Sequence, residues 1–250
     1  MEGEGTPLVF IHQVATDHRL WYYQHAYFRT RYRTITVDVL GHGPVMWPLG
    51  DRSIEQAAHH VQQLLQRLDI GPAFVIGLSA GAAVAMQIAL DAPTLLRGLV
   101  LVNPWGIPNA HLRSIGKRLF QLAESRNMVA YMDLFQRYAL PVDGVGRQHT
   151  EVERLRTLVL EQDPRAVAYA WAACLAVNFC ERLAEVTTPS LIIAGLHDLF
   201  TPPYLARAMA ERLREVELEV WEETGHFPCL EDPGRFNTRL EVFIRRCLAR

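Results

Sequence analysis

Six short runs of apolar, largely β-branched residues punctuate the chain: PLVFIH (7–12), RTITVDV (33–39), PAFVIGL (72–78), LRGLVLVN (96–103), PSLIIAG (189–195) and VELEVWE (216–222). Most are too continuously apolar for strands with one face in water, so they read as strands covered on both faces. Between them the period changes to that of helices. SIEQAAHHVQQLLQRLD starts at Ser53, with Ser53 and Gln56 in capping-box spacing, and is followed by AGAAVAMQIALDA (80–92), PYLARAMAERLRE (203–215) and the closing PGRFNTRLEVFIRRCLAR (233–250). Strand alternating with helix predicts an α/β fold, a mostly parallel sheet with helices on both faces.

One stretch breaks the alternation. From 107 to 186 there is no good strand, while 110–126, 128–140, 152–162 and 164–186 all carry helical periodicity. This predicts a core made of 1–106 and 187–250, with a helical insertion at 107–186 between the fourth and fifth strands. The insertion's apolar faces carry Tyr131, Phe135, Tyr138, Trp171 and Phe179, which either pack together or line a pocket facing the sheet.

Composition narrows the partners. The chain has 250 residues, half of them apolar, a formal charge of −2 and no basic cluster, so neither nucleic acid nor an anionic membrane surface is expected and a small molecule is. The first residues lack a signal-peptide pattern, and no apolar run approaches the roughly 20 residues a spanning helix needs. Cys174, Cys180, Cys229 and Cys247 show no C-x-x-C spacing. A soluble protein in a reducing, cytoplasmic setting is the expectation.

The chemistry centres on FVIGLSAGAAVAM (74–86), where Ser79 lies between Gly77 and Gly81. G-x-S-x-G alone arises by chance in about one chain in ten of this length. Here it joins the end of an apolar strand to the start of a helix, the context of a nucleophile elbow. Glycines at 77 and 81 leave room for a sharp, strained turn that lifts the serine hydroxyl above the sheet at a helix N-terminus, where negative charge is favoured. A serine nucleophile needs a base, and the base needs a carboxylate to fix its tautomer. Asp198 follows the fifth strand in LHDLFTP and His226 follows the sixth in ETGHFPCLEDP, both in loops at strand C-termini.

The order Ser, Asp, His, together with DVLGHG (38–43), the GxxD around Asp198 and GHFPCLEDP, resembles the capped α/β-hydrolases of lactonase and esterase type. FIHQVATDHRLW (10–21) is similar to the first loop of the 3-oxoadipate enol-lactonase and strigolactone-receptor-like branches. The resemblance makes 107–186 the cap and implies a catalytic triad of Ser79, Asp198 and His226, with backbone N–H groups of Val14 and Ala80 as the oxyanion hole. It gives His12 a structural role. Pocket candidates are Gln13, Trp21, Trp105, Tyr131, Phe135, Trp171, Leu199 and Phe227. Asp38 is expected to brace its glycine-rich loop, and His59 and His60 to lie at a helix surface.

Two features depart from that pattern. Gln13 stands where a glycine usually follows the histidine of the oxyanion loop, and the usual N-terminal antiparallel strands are missing. The second leaves 33–39 as an edge, to be covered by a homodimer contact or by another segment of the chain.

The expected activity is hydrolysis of a small apolar ester or lactone through an acyl-enzyme, with no cofactor and no metal. Carbon-carbon bond hydrolysis, a lyase or cyclase reaction on the same triad, and a hydrolase-like ligand receptor with little turnover remain open as alternatives.

Overall fold

The computed structural model describes residues 1–39, 41–45, 52–140 and 149–250. Six parallel strands form one sheet in the order β2-β1-β3-β4-β5-β6: β1 (Pro7–Ile11), β2 (Arg33–Val37), β3 (Ala73–Leu78), β4 (Leu96–Val102), β5 (Ser190–Gly195) and β6 (Val216–Trp221). Val9 pairs with Ile35 on one side and Val75 on the other, and all five residues of β1 are buried. β1 and β3 consist of apolar residues and one glycine because helices cover both faces.

The helices follow the predicted alternation, with two additions, one between β1 and β2 and a short one after β6. α1 (Tyr22–Phe28) lies between β1 and β2, where YYQHAYF offers few strong helix formers; burial of Gln24 and Phe28 holds it. Gln24 Nε2 donates to Cys229 O at 3.0 Å and to Asn237 Oδ1 at 3.1 Å. α2 (Ile54–Leu68) begins at Ser53, whose hydroxyl accepts from the Gln56 N–H as the spacing predicted. α3 (Ala80–Asp91) is buried from Ala80 to Ala89, as befits a helix that is apolar all round.

All four helices of the insertion stand between β4 and β5: α4 (Ala110–Glu124), α5 (Met128–Ala139), α6 (His149–Leu160) and α7 (Pro164–Ala176). The helix predicted for 164–186 is shorter than expected. Val177 turns to ψ 135°, and the Asn178 side chain accepts from the Cys180 N–H. Residues 141–148, inside the predicted insertion, and Leu40 of DVLGHG lie outside the described residues. α8 (Pro203–Ala210), the short α9 (Pro228–Glu231) and α10 (Pro233–Leu248) complete the chain. α10 places Phe243 against Phe74 of β3, with ring centroids 6.2 Å apart. Among the described residues no helix is long and apolar enough to cross a membrane.

Among the described residues β2 is an edge of the sheet, and its own chain covers part of it. Glu2 forms an antiparallel bridge with Thr34, donating to Thr34 O at 3.1 Å and accepting from the Thr34 N–H at 2.8 Å. Removing residues 1–4 should therefore speed hydrogen exchange at the Thr34 amide about 5- to 10-fold, the effect of losing one hydrogen bond, with little change at Ile35. Amide exchange followed by NMR checks this.

Candidate active site

The strand order sets the place of the site. From β1 the chain moves outward to β2 and then returns past β1 to β3, so the connections diverge at the C-terminal ends of β1 and β3 and leave a crevice there. Residues 12–15 follow β1 and Ser79 follows β3.

Ser79 adopts φ 53°, ψ −114°, a backbone conformation that non-glycine residues rarely hold. Its N–H is anchored on Val102 O at 2.9 Å. The flanking glycines are required by contact. A Cβ on Gly77 would lie 2.1 Å from Gly81 O, and one on Gly81 would lie 2.2 Å from Ile11 O. β1, β3 and the first turn of α3 thus meet at backbone distance.

Asp198 and His226 are joined directly, with Asp198 Oδ2 2.7 Å from His226 Nδ1. The carboxylate also accepts from the Phe200 N–H at 2.8 Å, the Thr201 N–H at 3.0 Å and the Thr201 hydroxyl at 2.7 Å. Four partners fix this buried carboxylate in orientation.

Three residues outside the sequence-based candidates hold this pair. Asn103, at φ 48° just past β4, accepts from the Gly195 N–H at 2.9 Å and donates to Gly225 O at 3.1 Å and His226 O at 2.9 Å. Gly195 belongs to the same seam, because a Cβ there would lie 2.0 Å from Gly225 O. Glu231 accepts from the N–H groups on either side of the imidazole, Gly225 at 2.7 Å and Phe227 at 2.8 Å. Two carbonyls at the end of α5 close the arrangement: Tyr138 O accepts from the Leu199 N–H at 3.0 Å and Ala139 O from the His226 N–H at 2.7 Å.

The loop after β1 is braced by two histidines. His12 accepts from the Val39 N–H at Nε2, 3.0 Å away, and donates from Nδ1 to Gln13 O at 2.7 Å. Burial pushes the His12 pKa down to about 3, so it stays neutral. His42 of DVLGHG accepts from the Ala15 N–H at 2.9 Å. Asp38 braces the neighbouring segment, accepting from the His18 N–H at 2.6 Å. His59 and His60 lie on α2, each beside a glutamine of the same helix.

Ser79 and His226 open onto one narrow cavity of about 10 Å³, room for roughly one water. Of the pocket candidates, Gln13, Trp105, Phe135 and Trp171 line it, together with Val14. Ala80 is fully buried at the first position of α3.

Four candidates lie elsewhere. Trp21 is buried in the core against Phe10 and Phe236. Tyr131 stands behind the cavity wall, stacked on Phe135 and accepting from Trp171 Nε1 at 2.9 Å. Leu199 points outward at 45% exposure, leaving its neighbour Phe200 to face the cavity. Phe227 is buried edge-on behind His226 and Phe135. Besides Phe200, the lining residues not foreseen are Leu112, Cys174 and Thr201. Burial pushes the Cys174 pKa up to about 12, so it remains a thiol.

A sequence profile described as "Alpha/beta hydrolase family" matches residues 8–239. The chain belongs to the alpha/beta hydrolase family. Among relatives of this hydrolase-family chain, the candidate carbamate hydrolase RutD of Caulobacter vibrioides is 29% identical over 217 residues, covering 86% of this chain and 81% of its own. The structure of Est816, described as an N-acyl homoserine lactone degrading enzyme, is 28% identical with a TM-score of 0.82, over 97% of this chain and 94% of that one. The enol-lactonase of Burkholderia xenovorans LB400 shares the fold at a TM-score of 0.90 and 22% identity, over 98% of this chain and 94% of its own.

Away from the hydrolase crevice, Asp17, His18 and Asp38 bring possible metal-ligand atoms within 4.8 Å of one another. Each already has a protein partner: Asp17 pairs with Arg19 and accepts from Gln162 Nε2, and Asp38 pairs with His18.

Glu231 gives the site a pH signature. Burial pushes its pKa up to about 7, against the pull of its two N–H donors. Between the ordinary carboxylate value of 4.5 and about 7 the folded state keeps a proton that the unfolded chain releases, so stability falls as pH rises through that window. Urea unfolding at pH 5 and pH 8 should show this loss, of order 2–3 kcal/mol, and Glu231→Gln should remove it.

Proposed function

We propose that this chain is a serine hydrolase of small, uncharged carboxylic esters or lactones, working through an acyl-enzyme. The observation that carries the reading is the Asp198–His226 pair at 2.7 Å, with the imidazole and Ser79 on the same apolar cavity. His226 takes the Ser79 proton as the hydroxyl attacks the carbonyl carbon. Asp198 holds Nδ1 protonated and stabilises the imidazolium. The N–H groups of Val14 and Ala80 receive the oxyanion; at the first position of α3 the Ala80 N–H has no intrahelical acceptor. His226 then protonates the leaving alcohol, and a water it activates releases the acid. None of these steps calls on a metal or an organic cofactor.

In this reading residues 107–186 are the cap over a core of 1–106 and 187–250. An ester exceeds the space of one water, so binding moves cap residues that line the cavity, Leu112, Trp171 and Cys174 among them. The lactone-degrading activity named for Est816 agrees with this substrate class.

Ser79→Ala is expected to lower turnover of activated esters by about 10⁴- to 10⁶-fold while the fold is retained. A serine-directed phosphonate should label wild-type protein at Ser79, as peptide mass spectrometry would show. Retention of a tenth of the activity in the variant would rule out nucleophilic catalysis. Labelling without multiple turnover on any ester or lactone would favour a ligand receptor.

A further inference from the structure

Two residues that line the cavity carry side-chain N–H groups that the mechanism above does not use. Gln13 is 1% exposed and its side-chain Nε2 has no hydrogen-bond partner; Trp105 is 4% exposed and its indole Nε1 has none either. Both residues line the cavity with Ser79. Burying an N–H without an acceptor costs stability, and native proteins keep few such groups without a reason. Trp21 Nε1 is also unpartnered, but it sits in the core, away from the cavity.

The Gln13 backbone is held in place. Its backbone carbonyl accepts from His12 Nδ1 at 2.7 Å and from the Thr16 hydroxyl at 3.2 Å, which pins the residue one position before the proposed oxyanion donor Val14. Trp105 approaches from the β4 side, two residues beyond Asn103. Of the other polar lining groups, the Thr201 hydroxyl donates to Asp198 and the His226 Nδ1 is bonded to the same carboxylate.

The lining also fixes the charge of what fits. Among the described residues it contains no Arg, Lys, Asp or Glu. A carboxylate carried into this cavity would be buried without a cation, whereas a neutral acceptor oxygen would meet two N–H donors.

We propose that Gln13 and Trp105 form a specificity subsite that hydrogen-bonds a second, neutral acceptor oxygen of the substrate, distinct from the scissile carbonyl. The substrate class is then an oxygen-bearing ester or lactone, such as an alkoxy- or oxo-substituted acyl compound, rather than a plain hydrocarbon one. This rests on the ester or lactone reading given above.

The test uses pairs that differ by one oxygen for one methylene: p-nitrophenyl methoxyacetate against butanoate, p-nitrophenyl 3-methoxypropanoate against pentanoate, and 1,4-dioxan-2-one against δ-valerolactone. For each pair the ratio of kcat/KM is measured in wild type, Gln13→Met and Trp105→Phe, so that intrinsic reactivity cancels between proteins. In at least one pair the ratio should fall about 5- to 10-fold in each variant, the effect of one hydrogen bond. A purely structural role would lower both members together and leave the ratio unchanged. Ratios within twofold of wild type in all three pairs would overturn the subsite.

The same ratio is read as Kd by calorimetry in a Ser79→Ala background, where no turnover is needed. If wild type hydrolyses neither member of any pair, the ester or lactone reading fails. The subsite is then judged on the Kd ratios alone, and absence of any oxygen-dependent binding overturns it.

Discussion

The site depends on the absence of two side-chain carbons. With no Cβ at Gly77 and Gly81, the end of β3, the first turn of α3 and the carbonyl of Ile11 can occupy one small volume. That approach carries the chain at Ser79 into φ 53° and keeps the start of α3 beside the loop bearing Gln13 and Val14. Such a backbone costs about 1–3 kcal/mol. Burial of α3 from Ala80 to Ala89 opposes it, since each buried methylene contributes about 0.8 kcal/mol. The strain and the packing that contains it are therefore neighbours in sequence.

Around the imidazole, polar groups do the corresponding work. Asn103 satisfies one N–H and two carbonyls in loops more than 90 residues away from it in sequence, and Glu231 satisfies the two N–H groups beside His226. These atoms would be expensive to bury unpaired, so the loops have one low-energy arrangement in which every partner is present. The geometry of Asp198 and His226 is thus set largely by residues that do not line the cavity.

Much of this was legible in the chain. β1, β3, β4 and β5 were visible because burial on both faces leaves nearly continuous apolar runs, β2 and β6 by their alternating β-branched or apolar residues, and Ser79, Asp198 and His226 each stand at the turn that follows one of these strands. Pocket membership was not. Adjacency in sequence names the loop but not the direction of each side chain, so Leu199 and Phe227 were expected in the cavity while Phe200 occupies it. Trp21 belongs to the core for the same reason. Asn103 gave no signal because its partners are distant in sequence. α1 was hidden by weak helix formers, and the bridge from Glu2 to Thr34 has no period to read.

The last carbonyls of α5 end on the two loops that carry Asp198 and His226, at the Leu199 and His226 N–H groups. A helix C-terminus elsewhere finds such donors in water or in its own next turn. The helices between β4 and β5 are therefore not an interchangeable module. A chimera that took them from a relative would import the heights of residues 138 and 139 along with the new binding surface, and with them the placement of the imidazole. Selectivity altered by side chains within the helices keeps that placement; selectivity altered by exchanging the helices does not.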